Sequence, residues 1–323
     1  IRDIPPLKIN GQLLQADQAL IAVSPLAVLA VSHDVTDYFD QYVDSSIPAK
    51  QRAVMLHQVL RSPAFIGLEY DIAGSYTAME AFHKAQANCI GFANLYIALA
   101  RHYGLTAKYQ MIQRYPEWTR IDGMLSVNIH INPVVILPGD LALEIDISGS
   151  TSRWKGEPTI ISDQSALAQF YNNLAMEAYA NNQSSKAYSL LARAITLDAS
   201  QAMLWSNLGA LYKKNQQLVA SEQAYNVALA TNADSYAALN NLAVLYFETG
   251  RLDQSQKMMD SIKAVQEKNP YYHFSLAESS LKNNELRKAS KHVRRAINLK
   301  NDEPEFKALL DVINHQLKSI TTS

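Results

Sequence analysis

Cysteine is nearly absent: the 323 residues hold a single one, Cys89. One thiol excludes an internal disulfide framework and a cysteine-based zinc site. It fits either redox compartment, because a lone thiol persists wherever it is protected or catalytic. An excess of one charge is absent too. With 29 basic against 30 acidic residues and no basic run longer than a few positions, the chain has no nucleic-acid footprint. Long apolar runs are missing: the longest, ALIAVSPLAVLAV at 19–31, is short for a bilayer and contains Pro25, so no transmembrane segment is expected. The few glycines form no phosphate-binding loop. None of the eight histidines pairs at metal-ligand spacing with a third ligand, so neither a metal nor a cofactor is expected. The sequence opens on Ile1 rather than Met, which fits a removed leader and, with it, a lost lipid anchor.

Apolar residues make up 48% and charged residues 18%, enough to bury sizeable cores, and the length suits two domains. Composition changes near residue 160. Before it, Pro, Gly and β-branched residues mix with helical stretches; after it come Ala, Leu, Asn and Gln with few breakers. The expected division is 1–155 and 156–323.

The second half repeats. Ala175, Gly209, Ala243 and Ala277 are spaced 34 residues apart, and so are Ala187, Ser221, Ser255 and Ala289, and Ala194, Ala228, Ile262 and Ala296. Small residues in these columns let paired helices approach closely. The clearest copy reads WSNLGALY at 205–212, followed by Ser221, Tyr225 and Ala228. This resembles the tetratricopeptide repeat, in about four copies over 168–303 with a capping helix over 305–320. The resemblance implies an all-α solenoid whose groove binds a protein or peptide. Asn173, Asn207 and Asn241 share one repeat position, and in some superhelical members an asparagine ladder there bonds an extended peptide backbone. Their other role, hydrogen bonding within a helix pair, stays open. Expected groove walls include Tyr179, Lys213, Phe247, Tyr271 and Phe274.

The first half is mixed. Helical spacing runs over 46–60 and 75–85, and a helix begins at Cys89 and reaches about His102, with Gly104 as its stop. In LSVNIHINPVVIL, 125–137, alternation puts Asn128, His130 and Asn132 on one face of a strand. In LALEIDIS, 141–148, it puts Glu144 and Asp146 on one face, and PGD at 138–140 makes the hairpin turn.

A helix N-terminus favours the thiolate of a cysteine placed there. Such a nucleophile needs a base, and the base needs an orienting group. His130 and Asp146 face the same way on neighbouring strands, within one cross-strand or diagonal step of about 5–8 Å. Glu144 is the fallback orienter. The remaining histidines, His57, His83 and His102 among them, are weaker candidates for the base.

The segments YTAMEAF, NCIGFANLYIALARHYGLTAKYQ, IHINPVVI and LEIDIS carry Cys, His and Asp in order, 41 and 16 residues apart. Over about 70–148 they resemble the transglutaminase-like cysteine superfamily. The resemblance implies an α+β, papain-like domain with Cys89 as nucleophile, His130 as base and later acid, and Asp146 as orienter. It implies thiol-dependent acyl transfer, of peptidase, amidase or transglutaminase type, on a protein or peptide recruited by the repeats, hydrolysis being favoured. The alternative is an inactive adaptor that binds partners through its repeats. The Cys89 N–H is the expected oxyanion donor, with Tyr70 or Asn88 as the second. The NCIGFANL stretch followed by a loop at YPEWTR, 115–120, resembles the bacterial branch in which this domain precedes tetratricopeptide repeats; that architecture implies a periplasmic or outer-membrane-associated protein, the cytoplasm being the other location. Where many members have Gly close before the nucleophile, this chain has Asn88. Where many have an aromatic after the Asp, it has ISGS, which leaves substrate preference open.

Overall fold

A computed structural model of the chain describes residues 4–9, 11–16, 24–71, 74–121, 124–147 and 158–321, with the side chains of 113–129 and 319–321 outside the description. The chain forms two compact units: Ile1–Gln113 with Asn128–Thr231, and Arg114–Val127 with Asn232–Ser323. The first unit therefore holds the N-terminal lobe together with the first two helical pairs.

The first unit begins with a hairpin of β1 (Leu7–Ile9) and β2 (Gln12–Leu14), which reverses at Gly11. Short helices α1 (Pro25–Val28) and α2 (His33–Asp40) lead to α3 (Ala49–Arg61). Strand β3 (Glu69–Tyr70), helix α4 (Ala78–Lys84) and strand β4 (Gln86–Ala87) follow, with β3 and β4 paired in parallel immediately before α5 (Cys89–His102). Thr77 and Glu80 close a capping box on α4, satisfying two backbone donors that a helix start leaves without partners.

Helix α5 is the core of the lobe. Every residue from Ile90 to Ala100 is buried, so the helix has no polar stripe. Its interior polar groups are matched: the Tyr109 hydroxyl donates to Asn94 Oδ1 at 2.8 Å and the Tyr96 hydroxyl to the Ala53 carbonyl at 2.8 Å. The helix ends where Gly104 takes φ 69°, with Gly104 N–H bonding the Arg101 carbonyl and Leu105 N–H the Ala100 carbonyl. This double bond pattern needs a left-handed residue, which glycine supplies without a Cβ clash.

The sheet runs in the order β7-β6-β5-β8, from β5 (Thr106–Ile121), β6 (Met124–Leu137), β7 (Leu141–Glu144) and β8 (Thr159–Ile161). The 138–140 turn carries Gly139 and Asp140 at positive φ, and Leu137 faces Leu141 across it. The YPEWTR segment lies within β5, not in a loop as the sequence suggested. Pairing with β6 keeps a backbone extended that aromatic and β-branched residues already favour.

Four helices complete the first unit: α6 (Asp163–Ala180), α7 (Ser184–Leu197), α8 (Ala202–Lys214) and α9 (Leu218–Thr231). A bidentate ion pair from Arg101 to Asp163, 2.6 and 2.8 Å, ties the end of α5 to the start of α6. The extended N-terminal segment lies against the pairs: the Tyr188 and Tyr212 hydroxyls donate to the Pro5 carbonyl, and the Gln217 amide bonds Pro6 and Lys8 of the backbone. The second unit contains α10 (Tyr236–Glu248), α11 (Leu252–Glu267), α12 (Pro270–Lys282), α13 (Leu286–Leu299) and α14 (Pro304–Thr321). Helix α14 covers the last pair, with Ile313 against Ala277, Ala289 and Val293, and Phe306 against Phe274 and Ala296. Two expected groove walls are thus core residues instead. Phe274 stacks on Phe306 at 4.8 Å, and Tyr179 is buried with the Lys214 ammonium over its ring.

The small-residue columns explain the pairing. A Cβ at Gly209 would stand 2.6 Å from the Tyr225 ring, so the glycine is what lets α8 and α9 close on that tyrosine. Helix propensity alone favours alanine there by about 1 kcal/mol. The clash with a fully buried ring costs about 1–3 kcal/mol and wins. Gly209→Ala is therefore expected to lower stability by up to about 2 kcal/mol in urea unfolding; a raised midpoint would contradict this packing.

Candidate active site

Cys89 is the first residue of α5 and is half-buried as a residue, whereas those that follow it, as far as Ala100, are buried. The preceding residue builds the helix start. Asn88 is extended, at φ −79° and ψ −176°, and its Oδ1 accepts the Gly91 N–H at 2.9 Å. Its backbone N–H donates to the Gly74 carbonyl at 3.0 Å and its Nδ2 to Ser75 Oγ at 2.9 Å. Asn88 is therefore the N-cap. With its backbone N–H and one amide hydrogen already engaged, it is poorly suited to the second oxyanion donor that the sequence suggested. Tyr70, the other suggestion, lies 48% exposed on β3.

The strands deliver the other two groups. Val134 faces Glu144 in the β6–β7 register, and the Ile145 N–H still bonds the Pro133 carbonyl beyond the end of β7. Carried further, this register puts Asp146 opposite Asn132 and diagonal to His130. The His130 Nε2 and Asp146 Oδ1 stand 3.5 Å apart, both largely buried, and the imidazole also bonds the Cys89 thiol. With Nε2 turned to the carboxylate, Nδ1 is the ring nitrogen left for the sulfur. The structure thus brings Cys89, His130 and Asp146 together. Glu144, on the same face, instead accepts from Gln110 Nε2 at 3.2 Å.

The electrostatics follow from burial and pairing. Burial pushes the Cys89 thiol up, but the His130 hydrogen bond and charge, with the N–H groups of Ile131 and Ile90, hold it below its ordinary value. Burial pulls the His130 imidazole down, but Asp146 and the Cys89 sulfur outweigh that and raise it. Each shift favours the charged form of its group, so the arrangement stabilises a thiolate beside an imidazolium.

His57, on α3, is a neighbour that the sequence reading ranked among the weaker histidines. Its Nε2 is 3.0 Å from the Asp146 carbonyl. Burial, aided by Arg61, lowers its pKa against the pull of Asp146. The neutral ring can donate that bond and brace the segment that carries the carboxylate. Nothing local predicts this contact, which joins residues 89 apart.

The asparagines at the shared repeat position lie elsewhere. Asn173 is half-buried on α6. Asn207 is buried on α8 and donates through Nδ2 to Asn172 Oδ1 at 2.7 Å. In the second unit Asn241 is buried on α10, and its Oδ1 has no hydrogen-bond partner among the described residues. Among the described residues no group of three His, Cys, Asp or Glu side chains could hold a metal ion. No helix among them is long and apolar enough to cross a membrane.

Comparison with known proteins gives two family matches, to the transglutaminase-like superfamily at residues 38–154 and to the tetratricopeptide repeat at 219–278. No curated protein matches. Solved structures with a similar helical part include pilF of Pseudomonas aeruginosa, at 15% identity and TM-score 0.31 over 49% of this chain and 72% of that one. MamA of Desulfovibrio magneticus RS-1 is similar at 12% identity and TM-score 0.30, over 50% of this chain and 89% of that one. The chain carries a transglutaminase-like domain, residues 38–154, followed by a tetratricopeptide repeat at 219–278.

Proposed function

We propose that the chain is a thiol-dependent acyl-transfer enzyme that acts on an amide of a protein or peptide. The observation that carries this reading is the Cys89 sulfur at a helix N-terminus, paired with a buried imidazole that is itself paired with a carboxylate. Thiolate, base and orienter in series are the minimum set for nucleophilic attack on a carbonyl.

In this reading the Cys89 sulfur attacks the carbonyl carbon and the carbonyl electrons move to oxygen. The Cys89 N–H, in the first turn of α5, stabilises that oxyanion. His130, as imidazolium, passes its proton to the leaving nitrogen as the C–N bond breaks, leaving a thioester on Cys89. The neutral imidazole then takes a proton from water, which attacks the thioester and releases a carboxylic acid and the thiol. An amine in place of water gives a new amide by the same steps. Asp146 keeps the ring oriented and supports its charge in both halves. The tetratricopeptide repeats, a module suited to protein–protein contact, recruit the substrate. Were Asn207 to bond a peptide, it would first have to release Asn172.

Because the chain has one cysteine, alkylation reports on Cys89 alone. Iodoacetamide labelling is expected to rise with pH at a midpoint below the ordinary thiol value of 9.0. His130→Ala removes the group that stabilises the thiolate, so the midpoint must rise, and labelling at pH 7 should slow about tenfold or more. A wild-type thiol that labels no faster than free cysteine would sink this reading. Hydrolysis of a peptide amide or activated ester is expected to vanish in Cys89→Ala and to fall about 10²-fold or more in Asp146→Asn, with the labelling site intact. Equal turnover by wild type and Asp146→Asn would remove the carboxylate from the mechanism.

A further inference from the structure

The residues that cap α5 lead outward to the first helical pair. We propose that Glu177, on α6, is a positioning residue for the Cys89 thiolate, acting through Ser75 and Asn88. The proposal rests on the reading of Cys89 as a nucleophile.

The chain of bonds has one direction only. The Glu177 carboxylate accepts from both the hydroxyl and the backbone N–H of Ser75. Ser75 is buried and has a single hydroxyl hydrogen, so its oxygen is left to accept, and it accepts the Asn88 Nδ2 at 2.9 Å. With Nδ2 held there, Oδ1 must face the helix, where it accepts the Gly91 N–H at 2.9 Å. A carboxylate is an acceptor only, a hydroxyl can do both, and an amide has one end of each kind. The acceptor at Glu177 therefore fixes which end of the Asn88 amide caps the helix. A flipped amide would set its NH2 group against the N–H donors of the first turn.

The backbone makes this coupling tight. A Cβ at Gly91 would stand 3.1 Å from the Gly74 carbonyl and 3.3 Å from Tyr76 N, so the 74–76 segment lies directly on the first turn of α5. Glycine at 91 is the residue that allows it. The first turn is also where the Ile90 N–H meets the Cys89 sulfur. A loosened cap misaligns that donor and weakens the favourable field at the helix start. The charged groups next to Glu177 are Lys186 on α7 and Asp71, after β3, of opposite sign. Burial pushes the Glu177 carboxyl up against the two Ser75 donors, a cost for a group with only a packing role.

The test is the pH–rate profile of Cys89 alkylation by iodoacetamide in the full chain, with melting temperature measured alongside. In Glu177→Ala the midpoint is expected to rise by about half a unit and the rate at pH 7 to fall about threefold. Glu177→Gln, whose Oε1 can still accept from Ser75, should recover most of both. Ser75→Ala breaks the same relay by deleting one oxygen and should match Glu177→Ala; it also carries the test if the latter fails to fold. A purely structural role for Glu177 lowers the melting temperature and leaves the midpoint in place. Folded Glu177→Ala and Ser75→Ala proteins that both keep the wild-type midpoint would overturn the proposal. A wild-type midpoint at the ordinary thiol value would instead overturn the reading of Cys89, and this inference with it.

Discussion

Separating charge between sulfur and imidazole in a lobe that is otherwise packed with aliphatic and aromatic side chains is the constraint on which the rest of that lobe depends. Neither ion would survive alone at such burial, since desolvation acts against both. Together they are held by each other, by the carboxylate beyond the imidazole and by backbone N–H groups at the head of α5. The fold has to bring a helix start, a strand interior and a strand end to one point.

That requirement accounts for features that look unrelated in the chain. Helix α5 is buried all round because it runs through the centre of the lobe, with Cys89 at its head. Its first turn is pinned by Asn88 and the 74–76 segment, and its last by Gly104 and by the Arg101 pair to α6. The Asp146 segment lies past the end of β7, where the ladder stops, and His57 meets its carbonyl there. Ends of elements are the places where a side chain can be aimed without twisting a sheet or breaking a helix.

The helical half obeys a simpler rule. Each pair buries small residues where its helices cross, and the one glycine in those columns sits under a tyrosine ring that no side chain could share. In the second unit the last pair still needs a neighbour, and α14 supplies it. Within the first unit, the same regular helices place Glu177 against the cap of α5. A repeat built for packing thus also contributes to the surroundings of the thiol.

Periodicity made most of this legible from the residues alone. The 34-residue columns, the Cys89 helix and its Gly104 stop, the PGD hairpin and the shared face of His130 and Asp146 are local patterns, set by side-chain spacing and by backbone angles that few residues tolerate. The resemblance of the 70–148 segments then gave the three groups the roles proposed for them. Other features had no local signal. The extended YPEWTR segment needed its partner strand, and the burial of Phe274 and Tyr179 needed the helices above them. His57 and Glu177 reach the site across 89 and, through Ser75, 102 residues of chain, and such contacts are chosen by packing, not by spacing. The sequence by itself determined which elements form and which faces they show, because those depend on neighbours a few positions away. Only the tertiary structure decided which polar groups meet, because burial makes a lone donor or acceptor costly unless a partner from elsewhere in the chain arrives to satisfy it.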